Sequence, residues 1–305
     1  MKLIDFETEY FNVIKDGDFD SLCNLTTITD VKCLSFANNE TFVKKACKLE
    51  NVSCLIVPPE CADMPELVES ERGVAVSDKP KTAFHMLHNH LTKTMNPEYI
   101  PEKHKTIIGK NCTIHPTAHI SDTGVVVGDN VVIEENTIIR DGVTIGDNSV
   151  IMVGAYIGYS ACLAGRDAEG NQMPLLSAGT VRIGKNVQIG AYSAISRGLF
   201  PYECAEIGDY SLVGFAVDLS HNDKIGRNVI VLDQSQICGN TVLEDGVHVS
   251  PQAVVSNRLR IEEKADVAIG SVVVSNVKKG LRVAGNYAIE NSKFLLWHRN
   301  KMRTK

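Results

Sequence analysis

The tripeptide Ser220-His221-Asn222, with Asp218 and Asp223 close by, is the part of the chain best suited to proton transfer. An imidazole titrates near neutrality and can take a proton from an attacking nucleophile at physiological pH. Other candidates carry less. His85, His88 and His90 fall on one expected helix, and His85 and His88 are an i, i+3 pair. Helical zinc pairs more often use i, i+4, and no carboxylate completes a site, so these histidines read as a solvated face. Nine cysteines are scattered without CxxC spacing and read as reduced filler, with no metal site or disulfide framework expected. Arg197, in the run Gly190 to Gly198, is the residue there most able to hold an anion.

The elements that must position these groups are announced by a period of six. From Ile183 to Val273 every sixth residue is aliphatic, with Pro201 the only miss. An earlier run passes through Ile108, Ile114 and Ile120, slips by one, and resumes from Val127 to Ile157. Aliphatics fill roughly a quarter of ordinary positions, so this is a repeat architecture. Two residues before each aliphatic stands a small or β-branched residue, the spacing of one strand face. Gly often follows the aliphatic, and Asn often stands three after it, as at Asn111, Asn130 and Asn148. Both types tolerate left-handed backbone and suit corners. Three strand-and-corner units close a triangular rung of eighteen residues, so the period predicts a parallel β-helix. Rungs stack about 4.8 Å apart, which puts Gly239 directly above His221. Asp223 breaks the small inward position, and a buried carboxylate needs a partner. Between Ile157 and Ile183 the period fails, and residues 158–182 form an inserted loop of the length that is usually functional.

Upstream, residues 1–100 read as a small α/β domain. Strands are expected at Lys32 to Phe36, Val52 to Pro58 and Gly73 to Val76. Helices are expected after Asn39 or Thr41 and from Pro80 to Leu91, the latter capped by Asp78. Thr92 to Thr106 reads as a linker, 107–285 as the β-helix, and 286–305 as a helical tail. The formal net charge of -6 argues against a nucleic-acid surface. Met1 to Phe11 lacks an apolar signal core and no stretch suggests a membrane span, so a cytoplasmic location is expected.

The pattern of aliphatic, Gly, two variable residues, small and variable resembles the hexapeptide-repeat acyltransferases, which implies a left-handed helix. With the α/β domain in front and a helical tail behind, the chain is similar to the UDP-3-O-acylglucosamine N-acyltransferases. Leu34 to Phe42 resembles that family's uracil-binding segment, with Phe36, Asn39 and Phe42 matching by position. An aromatic face can stack on a pyrimidine and an amide can satisfy its edge. The family's catalytic base falls on His221, with Asn222 beside it, and its oxyanion-binding amide on Gly239. Such a donor is worth roughly 3 kcal/mol in comparable sites. The resemblance further implies a homotrimer with sites between subunits, a loop walling the active site, and a stretch from Val277 to Ala288 that approaches the acyl carrier. Lys279 and Arg282 in that stretch are the expected contacts to coenzyme A.

This sequence also departs from the family. Its Asp seven residues before the histidine is Gly214 here, which leaves Asp223 as the expected orienter of the ring. Its second histidine, near the substrate phosphates, falls at Asn257 or Arg258. Phe42 replaces a Tyr. The tail is shorter, which favours a short acyl group from coenzyme A over a long one from acyl carrier protein. The resulting expectation is an N-acyltransferase, without metal, acting on a UDP- or dTDP-linked amino sugar of a surface glycan. The lipid A enzyme, a non-catalytic nucleotide-sugar scaffold and, through His115 and His119, a zinc enzyme on the same helix are the alternatives.

Overall fold

The structure is a computed structural model that describes residues 1–6, 11–25, 30–285 and 290–303. The N-terminal domain contains β1 (Asn12–Lys15), β2 (Ser21–Leu22), β3 (Cys33–Phe36), α1 (Glu40–Ala46), β4 (Val52–Val57), α2 (Pro65–Val68), β5 (Gly73–Val76) and α3 (Pro80–Lys93). They build a five-stranded sheet in the order β1-β5-β4-β3-β2, parallel except for β1. Apolar runs such as Leu55-Ile56-Val57 suit strands covered on both faces. The two short strands β1 and β2 carry too few apolar residues to announce themselves in sequence. The expected cap of α3 is corrected: Lys79 holds the cap position without a side-chain bond, and Pro80 opens the first turn, where a missing N–H costs nothing.

From Ile107 to Val283 the chain winds through three parallel sheets of nine, eight and eight strands, the walls of a triangular solenoid. Pairing of Ile207 with Ile225, and of Ile225 with Leu243, shows the eighteen-residue rung. The six-spaced aliphatics from Val127 onward are buried in one continuous core. The asparagines are corners as expected: Asn111, Asn130, Asn148 and Asn228 have φ of 55°, 58°, 57° and 53°. Gly158 takes the left-handed conformation expected, with φ of 81°, but most repeat glycines serve a different purpose. Gly190 is not left-handed; a β-carbon there would lie 2.1 Å from the carbonyl oxygen of Gly214, so close approach of successive corners excludes a side chain.

One reading of the period is corrected. Ile183, Ile189 and Ile195 pair with Ile207, Val213 and Leu219, a spacing of twenty-four. Residues 198–203 are therefore a second excursion, and Pro201 is no failed wall position. A six-residue insertion keeps the phase of a six-residue period and is invisible to counting. Leu199 and Phe200 from this excursion, with Leu175 from the long loop, are buried in the N-terminal domain core. The linker is also ordered by packing, since Tyr99 and Ile100 are buried there. The tail helix α4 (Asn291–Arg303) forms as expected, with Leu295, Leu296 and Trp297 about half exposed.

Candidate active site

His221 stands on the corner between the strands Asp218–Leu219 and Lys224–Ile225. Its ring is half-buried and lies against the rung above: a β-carbon built at Gly239 would sit 2.4 Å from Nε2. Gly239 itself is buried, and its N–H donates to no group among the described residues. Burial and, next, the cation of Arg258 depress the basicity of His221, so the ring is neutral at pH 7.

Asp223, expected to orient the ring, does something else. One carboxylate oxygen accepts the N–H of Ser220 at 2.9 Å and the other accepts the N–H of Thr241 at 2.9 Å. It thus ties the histidine corner to the corner above it. Burial raises its pKa well above the ordinary value despite these two bonds. Asn222 has φ of 57° and its Nδ2 donates to Asn240 Oδ1 at 3.0 Å. Asp218 accepts the Tyr159 hydroxyl at 2.8 Å and Gln236 Nε2 at 3.2 Å, linking the start of the long loop to the histidine rung.

Arg197 is not available to an anion. Its Nε donates to Gly158 O at 2.7 Å, its other nitrogens bond Asp141, and its side chain is 11% exposed. Lys103 reaches the same carboxylate at 2.6 Å. Burial would raise the Asp141 pKa, but Lys103 and Arg197 override it and hold it at about 2. Arg197 therefore locks the root of the inserted loop. Lys279 and Arg282 are exposed and pair with Glu263 and Asp266, the latter at 3.3 Å. Asn286, Tyr287 and Ala288 of the expected donor-binding stretch lie outside the described residues.

The aromatic segment does line a cleft. Phe36, Asn38, Phe42, Asn24, Lys45 and Lys81 surround about 240 Å³, closed by Arg258 from the β-helix. Asn39 is engaged as the cap of α1, accepting the Phe42 N–H at 3.2 Å, so within this segment Asn38 is the amide that lines the cleft. Phe36 packs 5.0 Å from Phe84, while Phe42 is 45% exposed. Arg182 and Lys224 on the helix wall share Glu206, and Arg260 pairs with Glu244. Among the described residues no carboxylate pairs with Lys45, Lys81 or Arg258. Sequence reasoning missed these three because they are far apart in the chain; the signal for Arg258 was its place where the family carries a phosphate-proximal histidine.

His85 and His88 were expected on a solvated face and are buried instead. The strap hairpin of Ala164–Arg166 and Gln172–Pro174 packs on α3 and covers them. His88 Nε2–H donates to Leu176 O at 2.6 Å, and Nδ1 lies 2.7 Å from the Tyr99 hydroxyl, which serves a neutral ring as donor. Burial lowers both pKa values to about 4. Among the described residues no group of three or more His, Cys, Asp or Glu could hold a metal, and no helix is long and apolar enough to cross a membrane.

Residues 124–159 match the family described as bacterial transferase hexapeptide (six repeats). A UDP-3-O-acylglucosamine N-acyltransferase of Shewanella denitrificans is 31% identical over 135 residues, 44% of this chain and 38% of that protein. The enzyme of the same name from Campylobacter curvus is 28% identical over 120 residues, 39% of this chain and 37% of its own length. The chain thus spans under two fifths of the length of these curated relatives. In fold it is similar to a UDP-N-acetylglucosamine acyltransferase of Bacteroides fragilis, with TM-score 0.52 and 23% identity over 66% of this chain and 75% of that one. By repeat and wall geometry the chain carries a parallel β-helix of hexapeptide repeats, left-handed like the folds it matches, and in sequence it is similar to the UDP-3-O-acylglucosamine N-acyltransferases.

Proposed function

We propose that the protein transfers an acyl group from a thioester to the amine of a nucleotide-linked amino sugar. The observation that carries this reading is the stack of His221 under Gly239: a neutral imidazole beside an uncommitted backbone N–H. The sugar nitrogen attacks the thioester carbonyl and its proton passes to His221. The carbonyl oxygen gathers negative charge, which the Gly239 N–H stabilises by roughly 3 kcal/mol. Collapse expels the thiolate, and His221 returns the proton to it.

The cleft supports the substrate class. Phe36 and Phe42 offer faces for a base, Asn38 an amide for its edge, and Lys45, Lys81 and Arg258 three unpaired cations for a diphosphate. UDP and dTDP both fit this chemistry. The similar UDP-3-O-acylglucosamine N-acyltransferases favour a UDP-linked glucosamine. The second reading is the lipid A reaction with an acyl carrier protein as donor. We favour a coenzyme A thioester of a short acyl group. Its phosphates would meet Lys279 and Arg282 on exchange of their exposed carboxylate partners, a cheap step because such pairs contribute about 0–1 kcal/mol. The working assembly is a homotrimer in the cytoplasm.

Release of free thiol from acetyl-coenzyme A on addition of UDP- or dTDP-amino sugars tests the reading directly. Turnover should fall at least tenfold in His221→Ala while the β-sheet circular dichroism persists. Turnover only with a hydroxyacyl carrier protein would select the lipid A reaction, and none with any thioester would leave a non-catalytic nucleotide-sugar binder. An unchanged rate in His221→Ala would remove it from the mechanism.

A further inference from the structure

The residue that addresses His221 most directly is Asn240, on the rung above. Its N–H donates to the His221 carbonyl at 2.9 Å, and its carboxamide Nδ2 lies 3.4 Å from the ring's Nδ1. That carboxamide is itself held, because Asn222 Nδ2 meets its Oδ1 at 3.0 Å. Both asparagines take the left-handed corner conformation, with φ of 57° and 61°. The carboxylates nearest in sequence are engaged elsewhere. Asp223 bonds the N–H groups of Ser220 and Thr241, and Asp218 bonds Tyr159 and Gln236. The charged group that acts on the ring is the cation of Arg258.

We propose that Asn240 is the positioning residue of His221: its carboxamide holds the ring through Nδ1 and leaves Nε2, at the Gly239 edge, to accept the proton. This rests on the reading of His221 as the base. Oxygen and nitrogen of a primary amide are isosteric, so the Asn222–Asn240 ladder runs in either sense. In one sense Asn240 donates to Nδ1 and the proton sits on Nε2. In the other, its oxygen accepts Nδ1–H and the Nε2 lone pair is free, which is the sense that base chemistry selects. When Nε2 takes the substrate proton, Nδ1–H keeps the same acceptor and no heavy atom has to move. A neutral amide orients the ring without stabilising the imidazolium as a carboxylate would, in keeping with a base whose pKa burial and Arg258 already lower.

Asparagine ladders also occur where there is no histidine. Asn130 Nδ2 meets Asn148 Oδ1 at 3.1 Å in an earlier corner, which supplies a control for the structural value of the bond alone. The experiment follows the His221 ring protons by NMR titration, assigned by their loss in His221→Ala, alongside pH profiles of kcat/KM. Asn240→Asp should raise the His221 pKa by at least one unit and move the acid limb of kcat/KM in the same direction. Asn240→Gly keeps the left-handed backbone without strain, and should lower kcat tenfold or more with KM within threefold. Asn148→Gly should leave kcat within twofold. An unshifted His221 titration in folded Asn240→Asp, or wild-type kcat in Asn240→Gly, overturns the assignment. A shifted titration together with full activity in His221→Ala would keep the positioning and remove the base.

Discussion

A methyl group on residue 239 would stand where the His221 ring now lies. The atom it would displace is the end of a mobile side chain, so the ring would turn away while the rung stays intact. Gly239→Ala is therefore expected to lower kcat tenfold or more and to shift the melting temperature by only a few degrees. Calorimetry beside steady-state kinetics checks the split. The same column was readable in the sequence, because eighteen residues make a rung and a rung is a fixed distance. The neighbours that act on the ring were not. Asp223 stood out as a carboxylate at an inward position, yet only coordinates show both its oxygens committed to Ser220 and Thr241. Asn39 and Asn38 likewise differ only in which one the first turn of α1 recruits as its cap.

Among the elements, the strap of 164–174 and the excursion of 198–203 join the two domains. His88 is clamped between Tyr99 and Leu176 O, and the rings of Phe84, His88 and Phe200 pack together at 5.0 and 5.7 Å. Folded His85 and His88 titrate at about 4, against 6.5 for a free imidazole. The unfolded chain binds more protons between these values, so stability is full above about pH 6.5 and declines as pH falls toward about 4. The carboxylate of Asp141, held at about 2, loses its contribution only below that window. Thermal melts should show the midpoint falling between pH 6.5 and 4 before any general acid unfolding. His88→Leu strands the Tyr99 hydroxyl and the Leu176 carbonyl and should be less stable at pH 8, yet lose less over that interval. A melting profile as steep as wild type in His88→Leu would exclude His88 as the acid-sensitive joint.

Across the whole molecule, the cleft proposed for the nucleotide lies where the domains meet. Phe36, Phe42, Lys45 and Lys81 come from the α/β domain, and Arg258 comes from a corner two rungs above the histidine's own. Arg258 also depresses the basicity of His221 and so touches both halves of the proposed reaction electrostatically. Arg258→Ala should raise KM for the nucleotide sugar about tenfold, as expected for loss of a charge-assisted phosphate bond of roughly 1.5–3 kcal/mol. It should also move the acid limb of kcat/KM upward in pH, since a nearby cation no longer opposes protonation. An unchanged KM would place the diphosphate elsewhere.

By itself the sequence determined the solenoid, its rung length, its asparagine corners, the first excursion and the column of His221 and Gly239. Each of these is a consequence of local periodicity, in which the number of residues between two positions is also their distance along the helix axis. The tertiary structure alone decided what periodicity does not encode. A second excursion the length of one repeat unit left the phase unchanged and was hidden. Arg197 passed from anion-binding candidate to buried joint because Asp141 and Gly158 O hold it, and His88 because the strap covers α3. The cations of the cleft, drawn from residues 45, 81 and 258, became one site only when contacts distant in sequence closed.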